Sequence, residues 1–332
     1  MKKDLLRKLT ASLVVGTMVL SLAACGGSGD SEESDTQTSS DAKYTVGVCQ
    51  LIEHVALDAA TEGFSDALKD KLGDDVSIDV KLAQGESNNC TTIINNFVAA
   101  DVDLIMANAT AALQAAVSGT DTIPILGTSV TEYGTALNIT DFDGTVGGNV
   151  SGTSDLAPLD GQAAMLQEIF PDAKNVGLLY CSSEANSQYQ IDVMTDELTK
   201  LGYTCTAYSF SDSNDLSTVT STAAASSDVI YVPTDNTVAA NTGIIDNICR
   251  PARVPVVAGE EGICSGCGTV TLSISYYDIG YKTGEMAAEI LAEGADISTM
   301  PIEYAPQVTK KYNKTICDEL GIAIPDDYEA IE

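Results

Sequence analysis

A chain of 332 residues with 44% hydrophobic content is long enough for two domains of ordinary size with real cores. Its formal net charge of −32 makes the electrostatic term with nucleic acid and with anionic lipid repulsive, which argues against both as charge-driven partners. The acidity is read as a solubility feature.

The chain opens with Lys2, Lys3, Arg7 and Lys8, followed by an apolar stretch from Leu9 to Leu20 and then Leu22-Ala23-Ala24-Cys25. That order is the three-part layout of an export signal, and the apolar stretch is shorter than the ~20 residues that span a bilayer. The segment resembles the lipobox of bacterial lipoproteins. The resemblance implies that residues 1–24 are a signal peptide and that Cys25 is acylated, anchoring an extracytoplasmic protein to the cell membrane by lipid. Residues 25–43 contain no large apolar side chain and read as a disordered tether. A flexible chain of that length has an r.m.s. span of about 23 Å.

The body reads as one unit written twice. The first copy has a strand at Lys43–Gln50, a helix from about Ala56 to Leu72 stopped by Gly73, and a second strand at Val76–Val80. Continuous apolar runs follow at Asp103–Ala107 and Ile123–Leu126, as for strands buried on both faces of a parallel sheet. The second copy repeats this with Lys174–Tyr180, a helix from about Ser187 to Leu201 before Gly202, Tyr203–Ala207, Asp228–Val232 and Val254–Val257. Strands alternating with helices at this spacing predict an α/β protein of two doubly wound parallel-sheet lobes joined by a hinge. Lobe 1 is expected over 44–155 plus 272–300, and lobe 2 over 156–271 plus 301–332. Ligands of such sheets sit beyond the carboxyl ends of the strands, here the loops 50–54, 108–110 and 128–131 facing 181–187, 234–236 and 259–261.

Several segments, weak singly, are specific in their order: Gln50–Ala60, Ala107–Thr110, Gly152–Asp155, Glu184–Ser187, Pro233–Thr237 and Tyr276–Gly280. Through them nearly the whole body resembles the solute-binding proteins of ABC importers, in the tryptophan-type group with the type I periplasmic-binding-protein fold. The resemblance implies capture of an aromatic L-amino acid and delivery to permease and ATPase subunits encoded elsewhere. It implies no cofactor and no metal, and a monomer is expected. The ligand set it implies is Glu53, His54, Asn108, Ala109, Thr110, Thr131, Asp155, Asn186, Ser187, Asp235 and Tyr277.

The chemistry of these positions suits a zwitterion. Thr110 stands at a helix start, where the hydroxyl and the following amides suit a carboxylate and equally suit a plain N-cap. Asp235, its counterpart in the second copy, is read as the partner of a ligand ammonium, with an N-cap as the alternative. His54 is the chain's only histidine and is read as a flat cleft-lining ring. Asn186 and Ser187 complete hydrogen bonds to ligand or start a helix. Asp155 lies at the first hinge crossing, and Tyr276-Tyr277 after the return crossing walls the pocket or joins the core. Two departures from the family pattern, Val55 in place of Pro and Thr131-Glu132-Tyr133 in place of Thr-Asp-Pro, put the ligand's side chain in question.

An enzyme lacks its motifs here: there is no Gly-x-Ser-x-Gly, no phosphate loop ending in Gly-Lys and no His-Glu-x-x-His. Asp141-Phe142-Asp143-Gly144 is a fragment of a calcium loop and reads as a turn. A ligand-sensing receptor domain, or a binding protein for nucleosides or sugars, uses the same fold and is the alternative. Eight cysteines follow Cys25, with Cys264 and Cys267 as the one close pair, read as a local disulfide or as free thiols.

Overall fold

A computed structural model describes residues 42–331. The lipobox, Cys25 and most of the tether lie outside the described residues. The first half runs β1 (Tyr44–Gln50), α1 (Val55–Leu72), β2 (Val76–Leu82), α2 (Ser87–Ala99), β3 (Leu104–Asn108), α3 (Thr110–Gly119), β4 (Ile125–Val130), α4 (Tyr133–Leu137) and β5 (Val150–Ser154). The second half repeats the alternation: α5 (Leu159–Ile169), β6 (Asn175–Cys181), α6 (Ala185–Lys200), β7 (Thr204–Phe210), α7 (Ser213–Ser226) and β8 (Val229–Val232). It continues through α8 (Asn236–Ala239), α9 (Thr242–Ala252), β9 (Val256–Ala258), α10 (Glu261–Cys267) and β10 (Val270–Ser273). The chain then returns through α11 (Tyr276–Ala288) and β11 (Glu303–Tyr304), and ends with β12 (Thr309–Tyr312), α12 (Lys314–Leu320) and β13 (Glu329–Ala330).

The strands form a six-stranded sheet, β11-β5-β4-β3-β1-β2, and a seven-stranded sheet, β13-β12-β10-β9-β8-β6-β7. Within both, five strands share the order second-first-third-fourth-fifth, so the duplication read in sequence is a duplication of topology. All pairs are parallel except β10 with β12. Central strands such as β3 and β8 are buried at every residue, whereas the edge strands β2 and β7 carry exposed polar positions, including Asp79 and Lys81 on β2. Charge on an edge strand discourages pairing with another chain. Each sheet is covered on both faces by apolar clusters, and a smaller cluster of Ala56, Ala60, Ala157, Ile274, Tyr276 and Ile279 fills the hinge.

The lobe boundaries differ from those read in sequence. Leu272 and Ser273 belong to β10 in the second sheet, and Glu303–Tyr304 pairs with β5 in the first. The third crossing therefore follows Tyr304 rather than residue 300. A two-residue strand has no periodicity to find, and only its pairing reveals it. All eight cysteines of the described residues are free, with Cys264 and Cys267 buried on α10.

Candidate functional site

The carboxyl ends of the two sheets face each other, and the lobes meet there. His54 at the end of the first strand–helix loop touches Asn236 of lobe 2, Nε2 to Oδ1 at 3.2 Å. Asn236 directs its amide nitrogen to Glu184 Oε2 at 2.7 Å, so its oxygen faces His54 and the imidazole carries its proton on Nε2. Burial lowers the His54 pKa, which keeps the ring neutral.

Behind this contact lie two adjoining pockets. The first, about 100 Å³, is lined by Thr110 and Ala111 from the first turn of α3 and by Ala185 and Asn186 from the first turn of α6. Neither helix start receives a side-chain cap. Two sets of free amides thus converge from opposite lobes, an arrangement that favours an anion. Backbone strain accompanies it: Ala109, the residue before α3, holds φ 94° and ψ 159°, a region that belongs to glycine, and Ser129 holds φ 54°. Glu184 also lines this pocket, but its carboxylate already accepts from Asn236 N, Asn236 Nδ2, Thr237 N and Thr237 Oγ1.

The second pocket, about 10 Å³, is enclosed by His54, Leu57, Ser129, Asp155, Asp235, Glu260 and Tyr276 among others. Asp155 receives the Tyr276 hydroxyl on Oδ2 at 2.9 Å, while its Oδ1, and the Ser129 Oγ, are buried with no partner. Burial pushes the Asp155 carboxyl above its ordinary range, against the pull of the nearby Thr131 and Tyr276 hydroxyls. Glu260 caps α10 through the N–H groups of Gly262 (2.6 Å) and Ile263, and burial raises its pKa to about 7. Glu260 and Tyr276 also border a third cavity of about 400 Å³, lined by Ala56, Ala59, Ile274 and Tyr277 among others.

The expected site residues divide. His54, Thr110, Asp155 and Asn186 line the two inner pockets. Asp235 also borders the inner pocket, but its oxygens are occupied: Oδ1 accepts from Val238 N, and Oδ2 from Cys181 N and Ser187 Oγ. The N-cap alternative weighed for Asp235 is the arrangement seen. Burial and the neighbouring Glu184 raise its pKa to about 8, opposed by those three donors. Ser187 is buried beneath it rather than lining a pocket.

Asn108 directs its amide to Leu57 O and Thr61 Oγ1, fastening β3 to α1. Thr131 is buried and accepts the Ser154 hydroxyl on its carbonyl. Glu53 is exposed and borders none of the pockets. Tyr277 bonds Asp66 at 3.2 Å and borders the cavity of about 400 Å³ but not the inner pockets, because one residue of helix rotates it about 100° from Tyr276, which lines the inner pocket as well. Tyr133 lies in the lobe 1 core, with its hydroxyl on Thr153 O, and does not reach a pocket. Ser129 and Glu260 were missed as individuals, whereas Tyr276, read with Tyr277 as a pocket wall, lines the inner pocket. Ser129, near the end of β4, and Glu260, the cap of α10, fall within the ranges 128–131 and 259–261 that the strand-end rule singled out.

Two parallel-sheet lobes, three crossings and a closed polar pocket at the strand ends define a solute-binding protein of the type I periplasmic-binding fold. The ABC transporter substrate binding protein family model matches residues 45–330, and the chain belongs to that family. It is 33% identical over 327 residues to the tyrosine-binding protein of Clostridioides difficile (strain R20291), covering 97% of this chain and 91% of the relative.

The structure of the ABC domain in complex with L-Trp from Streptococcus pneumonia matches with TM-score 0.83 at 28% identity, over 87% of this chain and all of that one (100%). A ligand-free, open substrate-binding protein with adhesive properties from Clostridium difficile matches at only 0.67 despite 34% identity, over 87% and 99% of the chains. That structure is described as open, whereas His54 and Asn236 are in contact here. This chain is the substrate-binding protein of an ABC transporter.

Proposed function

We propose that the ligand is an aromatic L-amino acid held as a zwitterion. The observation that carries this reading is the pairing of opposite vacancies: unpartnered Asp155 Oδ1 in one pocket, and the converging amides of α3 and α6 in the next. Asp155 takes the ammonium, and the helix starts with Thr110 and Asn186 take the carboxylate. The cavity of about 400 Å³ past Tyr276 has room for the ring, with Ala56, Ala59, Ile274 and the two tyrosines as its apolar side and Glu261, Lys311 and several hydroxyls as its polar side. The relatives named for tyrosine and solved with L-Trp support the aromatic class. The two inner pockets are too small for such a ligand, so entry requires the lobes to part.

The same reading makes the protein a monomer that is not an enzyme, tethered outside the cytoplasm through acylated Cys25 and delivering cargo to a permease and its ATPase. The test is calorimetric titration of ligand-stripped protein with L-Trp, L-Tyr and L-Phe, with leucine and ribose as controls. Saturable heat from at least one aromatic amino acid and none from ribose is expected. Silence for all three, or binding of ribose, would overturn the aromatic reading.

A further inference from the structure

We infer that Glu260 is the lobe 2 counter-ion of the ligand's ammonium, so that the lobes close stably only around a positive charge. This rests on the amino-acid reading above. Asp155 comes from the first hinge crossing and Glu260 from lobe 2, and closure brings both to one enclosed pocket. Both residues are buried, Asp155 at 4% and Glu260 at 3% exposure.

The cap on α10 does not account for a glutamate at this place. Capping needs an acceptor oxygen, and neutral Ser, Thr or Asn supplies one. The charge is the surplus. Each Glu260 oxygen accepts one backbone N–H and retains a lone pair, while Asp155 Oδ1 makes no hydrogen bond and has the Thr131 hydroxyl nearby. Two carboxylates bordering one buried pocket repel, as the Asp155 charge acting on Glu260 reflects, and a cation between them reverses the sign of that interaction.

The surrounding groups supply no such cation. Tyr276 is a neutral donor already engaged with Asp155. His54 is held neutral by burial. Asp235 is acidic, and Glu261 on the same helix is paired with Lys311 of β12 at 2.6 Å. A ligand that keeps the ring and the carboxylate but lacks the amine leaves the two acids opposed. Glu260 thereby sets specificity for amino acids over their deaminated analogues.

Burial holds the Glu260 carboxyl near 7, and an ammonium beside it favours ionisation. Ligand capture somewhat below neutral pH therefore releases a proton, and affinity falls as pH drops through about 7.

The test compares the full chain with its Glu260→Gln variant, titrating L-Tyr and 3-(4-hydroxyphenyl)propanoate by calorimetry. The variant is expected to bind L-Tyr more weakly, by on the order of tenfold to a hundredfold. It should bind the deaminated acid as well as or better than the parent does, so the preference for the amine narrows. Proton release, measured in buffers of different ionisation enthalpy, should fall by the share that Glu260 supplies, leaving only what the neighbouring Asp155 and Asp235 contribute. An unchanged preference for the amine reduces Glu260 to a helix cap and overturns the proposal, whatever happens to affinity alone.

If the parent binds no aromatic amino acid, the ligand reading falls, and small-angle scattering of ligand-free protein decides the Glu260 question. The parent should be more compact at about pH 5 than at about pH 8 as its facing acids ionise. Indifference to pH there overturns the proposal without any ligand or variant.

Discussion

Asp155 and Asp235 border the same pocket and are almost equally buried, yet their oxygens are in opposite states. Asp235 holds together β6, α6 and α8 through three donors. Its replacement by alanine strands two backbone N–H groups and the Ser187 hydroxyl, and should cost about 2–4 kcal/mol in chemical denaturation. Asp155 instead keeps one oxygen free at the hinge. Asp155→Asn retains an acceptor for Tyr276 and removes a buried charge, so the melting temperature should hold or rise while amino-acid affinity drops by on the order of a hundredfold. Undiminished binding in a calorimeter would remove Asp155 from the ammonium's place.

Read in sequence, Asp235 is the ammonium's partner and Asp155, though in the ligand set, marks the first hinge crossing. An N-cap and a ligand contact ask for the same residue at the same loop, and only the donors brought in from β6 and α6 tell them apart.

At the scale of elements, α1 and α11 form the packing that returns the chain to lobe 1. They approach through glycines: a Cβ on Gly280 would stand 2.0 Å from Ala60 O, and one on Gly63 would stand 2.1 Å from Tyr277 O. Gly280→Ala therefore has to push two helices apart, with a loss of about 1–3 kcal/mol or more. Because α11 begins beside Tyr276, the same variant should weaken ligand binding through the hinge. A denaturation midpoint equal to that of the parent would contradict the crossing.

Helix ends were legible in the chain, as with α1 ending before Gly73 at φ 58° and α6 one residue before Leu201 and Gly202, because the stop is a local backbone event. The break after β8 was not: α8 is only four residues long, and a separate α9 follows after Ala240 and Asn241. The Ala109 strain was equally hidden, since nothing local asks an alanine to adopt a glycine conformation. The surrounding sheet and the α3 start impose it.

For the whole molecule, closure couples ligand to shape and to pH. Scattering should show a smaller radius of gyration on addition of a bound aromatic amino acid, and equal radii would argue against a hinge-closing receptor. In the ligand-free protein, Glu260 binds a proton up to about pH 7 when folded but only to about pH 4.3 when unfolded. The folded state thus holds the extra proton, and that share of stability is present at acid pH and is lost as pH rises through about 7. A melting temperature that climbs from about pH 5 to about pH 8 without ligand would contradict the buried acid.

The sequence by itself determined the two-lobe architecture, its internal duplication, the loops at the strand ends and the family, because these follow from apolar periodicity, helix stops and residue order. The tertiary structure alone decided which acid is a cap and which is free, which of two adjacent tyrosines lines the inner pocket, and that Glu260 and Asp155 share that pocket. Those outcomes depend on contacts between elements distant in sequence, where the partner that satisfies or orphans a polar atom is supplied by the other lobe.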